Sequence, residues 1–193
     1  MRLILLAGAI ALALSTAGCG SGSEAERTAT ETVRPTAGSL SAPEVATCSS
    51  RSEASFPGAF RDPANAVVGP FVLVGGARPT SAAVVASSGG QKHQVLVRAG
   101  RTVTVRVPPG ARDRVSLGYG SLPQGEVGYP DGHPAVTFVA CQPDEGSGST
   151  AGRGEPVTFW SGFVFARRPS CAPLDIQVGG DVRRIEIPLG DRC

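Results

Sequence analysis

The chain has 193 residues, of which 41% are hydrophobic and 5% aromatic, and its formal net charge is +2. That length holds about one domain plus leader segments, and the core it can bury is mostly Val, Leu and Ile. The small net charge gives no support to a nucleic-acid partner, and Lys92 is the sole lysine, so the cations are almost all arginines.

Residues 1–18 read as a lipoprotein signal peptide. Arg2 supplies a short positive region, and Leu3 to Leu14 is uniformly apolar but too short to span a bilayer as a finished helix. Small residues follow up to Cys19. The ending Thr16-Ala17-Gly18-Cys19 resembles the bacterial lipobox. The resemblance implies diacylglycerol transfer to the Cys19 thiol, cleavage before it, and N-acylation. Residues 19–47 are expected to be a flexible lipid-anchored tether. Gly, Ser, Thr, Ala and Glu dominate there, and too little apolar surface is present to offset the entropy of ordering. As a coil its ends would lie on the order of 30 Å apart.

Residues 48–193 read as an extracytoplasmic all-β domain. Phe71 to Val74 is a short apolar strand between Pro70 and Gly75-Gly76. Pro79 to Ala86 has a capping Ser/Thr, but it is short and predicts a turn of helix or a loop. Gln94 to Arg98 and Arg101 to Val107 read as a hairpin about Ala99-Gly100. In its second arm Val103, Val105 and Val107 face one side, with Thr102, Thr104 and Arg106 opposite, the period-2 pattern of a strand with one wet face. Arg114 to Tyr119 predicts another strand, with Val115, Leu117 and Tyr119 on one face.

Val136 to Cys141 and Val157 to Ala166 are apolar at successive positions, so both faces are expected to be covered. The loop Gln142 to Pro156 separates them. A last hairpin brings Leu174, Ile176 and Val178 together with Ile185, Ile187 and Leu189. Matching the two apolar sets favours Val178 opposite Arg183 across a four-residue loop, Gly179 to Val182. Eight or so strands with regular turn punctuation argue for a disulfide-stapled β-sandwich of Ig-like architecture, with a small β-barrel as the alternative.

Five cysteines are present. Setting aside Cys19 leaves Cys48, Cys141, Cys171 and Cys193, an even set that predicts two disulfides in an exported domain. The hairpin register puts Cys171 opposite Gly190, near enough to Cys193 to favour Cys171–Cys193, which leaves Cys48–Cys141. The spacing itself keeps three connectivities open.

Catalytic signatures are missing. The sequence contains no G-x-S-x-G, no H-E-x-x-H and no CxxC, and its single lysine forms no S-x-x-K. It predicts no catalytic residue, metal ligand or cofactor. The candidate binding loop runs from Gly118 to Pro134, where Tyr119, Glu126, Tyr129, Asp131 and His133 sit among glycines and prolines. Tyr on such turns offers flat amphipathic contact area at low entropic cost, although the simpler reading, and the favoured one, packs Tyr119 inward at the end of its strand and lays Tyr129 over the edge of the core. Arg167-Arg168 and Arg192 are expected at one end of the last hairpin and Arg183-Arg184 at the other, as a solvated face or a contact for anionic lipid or wall polymer.

Phe138-Val139-Ala140-Cys141, Phe159-Trp160-Ser161-Gly162-Phe163 and Arg184-Ile185-Glu186-Ile187-Pro188-Leu189-Gly190 before Cys193 resemble small actinobacterial lipoproteins and secreted proteins of uncharacterised function. That resemblance implies an envelope protein and carries no catalytic residue. The expectation is a non-catalytic binding or structural module on the outer face of the cell membrane, held by an acyl anchor, with an envelope protein or cell-wall partner. The rivals are a small envelope hydrolase using His133 and Asp131, and a regulatory subunit that docks on a larger envelope protein.

Overall fold

The computed structural model describes residues 39–193 apart from 147, 153 and 191. The leader, Cys19 and the tether as far as residue 38 lie outside the described residues. In chain order the elements are β1 (Glu44–Ala46), β2 (Ser55–Phe56), β3 (Ala66–Val68), β4 (Phe71–Leu73), β5 (Thr80–Ser81), α1 (Ala82–Ser88) and β6 (Gly90–Arg98). Then follow β7 (Thr102–Arg106), β8 (Val115–Gly118), β9 (Ala135–Val139), β10 (Ser149–Ala151), β11 (Glu155–Ala166), β12 (Ser170–Val178) and β13 (Asp181–Gly190). The protein is all-β and disulfide-bonded.

Two sheets share the strands. One has the order β1-β9-β7-β12-β13-β5; the other runs β2-β10-β11-β6-β4-β3, with β8 also paired to β11. Val103, Val105, Leu174, Ile176 and Ile187 from the first sheet meet Phe71, Leu73, Val95, Val97, Trp160 and Val164 from the second in one apolar core. The outer face of the first sheet is wet. Thr104 and Thr137 share a hydroxyl bond of 2.9 Å there, and Arg184 makes a two-pronged bond to Asp175 at 2.7 and 3.0 Å.

The outer face of the second sheet carries a smaller core of its own. Val157 and Phe159 of β11 pack with Leu96 and Val72, and Ala59, Phe56 and Phe60 cover them. The successive apolar positions of β11 are thus used on both faces. β9 differs: Val136, Phe138 and Ala140 are buried, but Thr137 and Val139 are only half-buried.

Several expectations need correction. β6 and β7 are not a hairpin. β6 pairs with β4 and β11, whereas β7 pairs with β9 and β12. The turn between them carries the chain across the core, with Gly100 at φ +70°. Its amides bond to different sheets, Ala99 N–H to the Pro156 carbonyl (3.1 Å) and Gly100 N–H to that of Cys141 (2.8 Å). The last hairpin turns through Gly179-Gly180 and pairs Val178 with Asp181, two residues from the expected register. A shift of two keeps every side chain on its face, and a two-residue loop with glycine at the first central position is a favoured hairpin connection.

Glu44–Ala46, expected in the tether, is a strand parallel to β9, and β10 lies inside the stretch expected as loop. The Pro79 to Ala86 stretch yields α1, seven residues long. Ser81 caps it by accepting from Val84 N–H at 3.2 Å, and Gly89 ends it at φ +65°.

Residues 39–43 lead into β1 at what is here termed the near end. β1 starts at Glu44 opposite Val136, and Ala135 faces Arg106 at the close of β7. The turn Pro109–Ala111 then joins β7 to β8, whose Val115 faces Ala166. The starts of β1, β8 and β9 therefore share this end with the close of β11. The far end holds the close of β6 and the start of β11. Cys48–Cys141 lies toward the far end and Cys171–Cys193 toward the near end, with Cα separations of 4.7 and 5.5 Å.

Candidate functional site

Four of the five residues expected to bind ligand are tied to other parts of the protein or to their own loop. Tyr119 is 2% exposed and is a core residue. Its ring stands nearly perpendicular to Phe138 at 5.2 Å, and its hydroxyl donates to the His93 carbonyl at 2.9 Å. Burial pushes its phenol far above the ordinary range. Gly162 on β11 makes room for the ring. Tyr129 is half-buried and donates to the Arg112 carbonyl at 2.8 Å. The Asp131 carboxylate accepts from Gly128 N–H at 3.1 Å, which closes a turn. His133 Nε2 meets the Ser121 carbonyl at 2.8 Å, so that nitrogen carries the proton. His133 also exchanges backbone bonds with Leu117. Glu126 is exposed. Asp131 and His133 thus bond different partners and not each other, which leaves the pair without the base–orienter contact a hydrolase site needs.

The far end offers a more open surface. Arg98 closes β6, Glu155 opens β11, and the antiparallel register brings them side by side as an ion pair. The Arg98 guanidinium lies over the Phe60 ring, 4.1 Å from its centroid. A cation over an aromatic face is attracted by the ring quadrupole. This ridge stands between two hollows. One, of about 400 Å³, is lined by Phe60, Arg61, Gly154 and Glu155; the other, of about 440 Å³, by Arg101, Pro143 and Pro156. Side chains here can recognise a ligand by charge, planar stacking and paired hydrogen bonds. Sequence reasoning missed this site because Phe60, Arg98 and Glu155 belong to three separate segments and form no motif.

His93 is the other buried polar group of note. It is 2% exposed, and its Nδ1 lies 2.9 Å from the Val74 carbonyl, which requires a proton there. Nε2 is buried and, among the described residues, has no partner. Desolvation outweighs the Val74 bond and lowers its pKa, so burial favours the neutral ring in the folded protein. The unfolded chain binds the extra proton as pH drops through about 6.5. Stability is therefore full above that pH and falls below it, by at most about 1.4 kcal/mol per pH unit. Urea midpoints measured at pH 7.5 and 5.5 should show this loss in the wild type and a flatter profile in His93→Gln. An equal slope in both would reject the assignment.

Two clusters bring a carboxylate near cysteines, Glu145 by Cys48 and Cys141, and Glu186 by Cys171 and Cys193. All four sulfurs are committed to disulfides, and metal binding needs thiolates. The class that emerges is a two-disulfide all-β domain, a chemistry suited to an oxidising, extracytoplasmic compartment. No helix among the described residues is long and apolar enough to cross a membrane. Compared with known proteins, the chain matches no family model and no curated sequence.

Proposed function

We propose that this chain is a lipid-anchored extracytoplasmic binding module that contacts its partner through the far end. The leader and the lipobox-like ending at Cys19 support the anchor, and the two disulfides support the compartment. One observation carries the binding reading: a partly exposed Arg98–Glu155 pair stacked on Phe60 between two open hollows. Arg, aromatic and hydrogen-bonding groups grouped this way make the anchor points of protein interfaces. The partner of this reading is an envelope protein or wall component.

A photo-crosslinker placed in intact cells at Arg61, and separately at Glu126, tests the surface. One stoichiometric adduct from position 61, reduced about tenfold or more by Arg98→Ala, is the expected result. Capture from position 126 alone would return the surface to the loop, and capture from neither would reject the module. Intact mass of material from native membranes checks the anchor separately, through an acyl adduct on Cys19.

A further inference from the structure

We infer that the near end is a docking face for anionic lipid headgroups, so that the domain rests on the membrane with its far end outward. The inference rests on the proposed acyl anchor for its biological setting, but it stands on two observations of its own. The first is chain direction. Residues 39–43 run into β1 from the near-end side, and Glu44 Oε1 accepts from Ser121 N–H at 2.8 Å, which fixes the start of β1 against the loop that follows β8. A tether arriving there presents this end to the surface that holds it.

The second observation is charge. Arg114, Arg167 and Arg168 line one hollow of about 350 Å³ together with Asp113. Asp113 meets Arg114 at 3.3 Å, and Arg114 also donates to the Gly110 carbonyl at 2.6 Å, so this guanidinium is held in place. The Arg167 amide donates to the Arg114 carbonyl at 2.8 Å, which keeps the two segments in register. Arg167 and Arg168 are exposed and, among the described residues, have no carboxylate partner. Elsewhere Arg98 and Arg184 are neutralised by Glu155 and Asp175. The nearby carboxylates of Glu44 and Asp131 already accept backbone amides.

Guanidinium groups bind phosphate through paired hydrogen bonds. A lipid phosphate is the ligand an acyl tether of this length holds within reach. With the coil of roughly 30 Å that the composition of residues 19–47 predicts, the second contact is intramolecular and its effective concentration is raised. Weak attraction at Arg167 and Arg168, with Arg114 held beside them, then orients the domain.

The described residues build both sheets and both disulfides, so the chain from residue 19 with Cys19→Ser keeps the domain while lacking the acyl site. Its sedimentation with phosphatidylcholine vesicles, with and without phosphatidylglycerol, reads docking alone. Binding is expected only with the anionic lipid and should vanish in about 1 M salt, where screening acts within about 3 Å. The triple variant Arg114→Gln, Arg167→Gln, Arg168→Gln should bind on the order of 100-fold more weakly, given the contribution of each cation near an anionic surface. The control Arg51→Gln, Arg183→Gln, Arg184→Gln removes equal charge outside both this hollow and the far-end hollows and should bind like the parent, with matching thermal unfolding confirming that both variants fold. Equal loss in the two triples, equal binding to both vesicle types, or retention by isolated wall polymer without vesicle binding would overturn the docking face. Failure of the acyl anchor shows instead as the missing Cys19 adduct in native material.

Discussion

Gly162→Val should lower the thermal unfolding midpoint by roughly 10 °C, one of the largest single-residue losses in the domain. A side chain at Gly162 would collide with the Tyr119 ring and the Gly118 carbonyl. Neither can step aside. Tyr119 is clamped by its hydroxyl bond to His93 and by edge contact with Phe138, whose ring also meets Trp160 at 5.3 Å. Phe138 belongs to β9 and Trp160 to β11, so the three rings join the two sheets. Forcing bulk into such a site costs about 1–3 kcal/mol as strain, and expelling the tyrosine adds the loss of a buried aromatic, about 3 kcal/mol or more. Trp160 emission reports the event directly. Tyr119→Leu in the same background should recover part of the loss by vacating the ring's space. A Gly162→Val protein that melts with the wild type would show that Tyr119 does not occupy this position.

The β class and the inner faces of the strands were open to sequence reasoning because burial imposes period 2 on side chains. Val103, Val105 and Val107, and the unbroken apolar run of β11, carry that pattern in a few residues. Strand partners were not. Ala99-Gly100 has the same local chemistry whether it folds β7 back beside β6 or carries it to the opposite layer, since either path needs a glycine with positive φ. What decides is which strands flank each arm, β4 and β11 against β9 and β12, and nothing within seven residues encodes that. The final hairpin shows a related limit. Registers that differ by two bury the same isoleucines, so the apolar pattern fits both, and only the Gly179-Gly180 pair distinguishes them. Strands of two or three residues such as β2 and β10 are too short for any periodicity to show.

The candidate site was less legible than the fold. Tyr119, read as either contact residue or core, turns out to be core, because its strand position places it against Gly162 and Phe138. Asp131 and His133 advertise chemistry, but the loop spends both on its own backbone. The Arg98–Glu155 ridge gives no such signal. Two charged residues 57 positions apart meet only through the β6–β11 register, and Phe60 comes from a segment with no regular structure.

Removing the far-end disulfide with Cys48→Ala and Cys141→Ala should cost more stability than removing the near-end one with Cys171→Ala and Cys193→Ala. The bonds close loops of 93 and 22 residues. Restraint of the unfolded chain grows with the logarithm of loop length, which gives about 4–5 kcal/mol for the first and about 3 kcal/mol for the second. Native packing widens the gap. Cys141 is fully buried, and its amide donates to Thr158 Oγ1 at 2.7 Å, a bond from the β9 sheet to the β11 sheet. Beside Cys48, the Thr47 carbonyl accepts from Trp160 Nε1 at 3.0 Å, so freeing this segment also strips the indole of its partner. Cys171 and Cys193, by contrast, hold a tail whose end is exposed. Thermal unfolding followed by Trp160 emission separates the two. The far-end variant should melt roughly 10 °C or more below the wild type with a red-shifted folded spectrum, and the near-end variant should melt between them with the native spectrum. The reverse order would mean that the long loop is already restrained in the unfolded chain, and that the core, not the Cys48–Cys141 bond, holds β1 to β9.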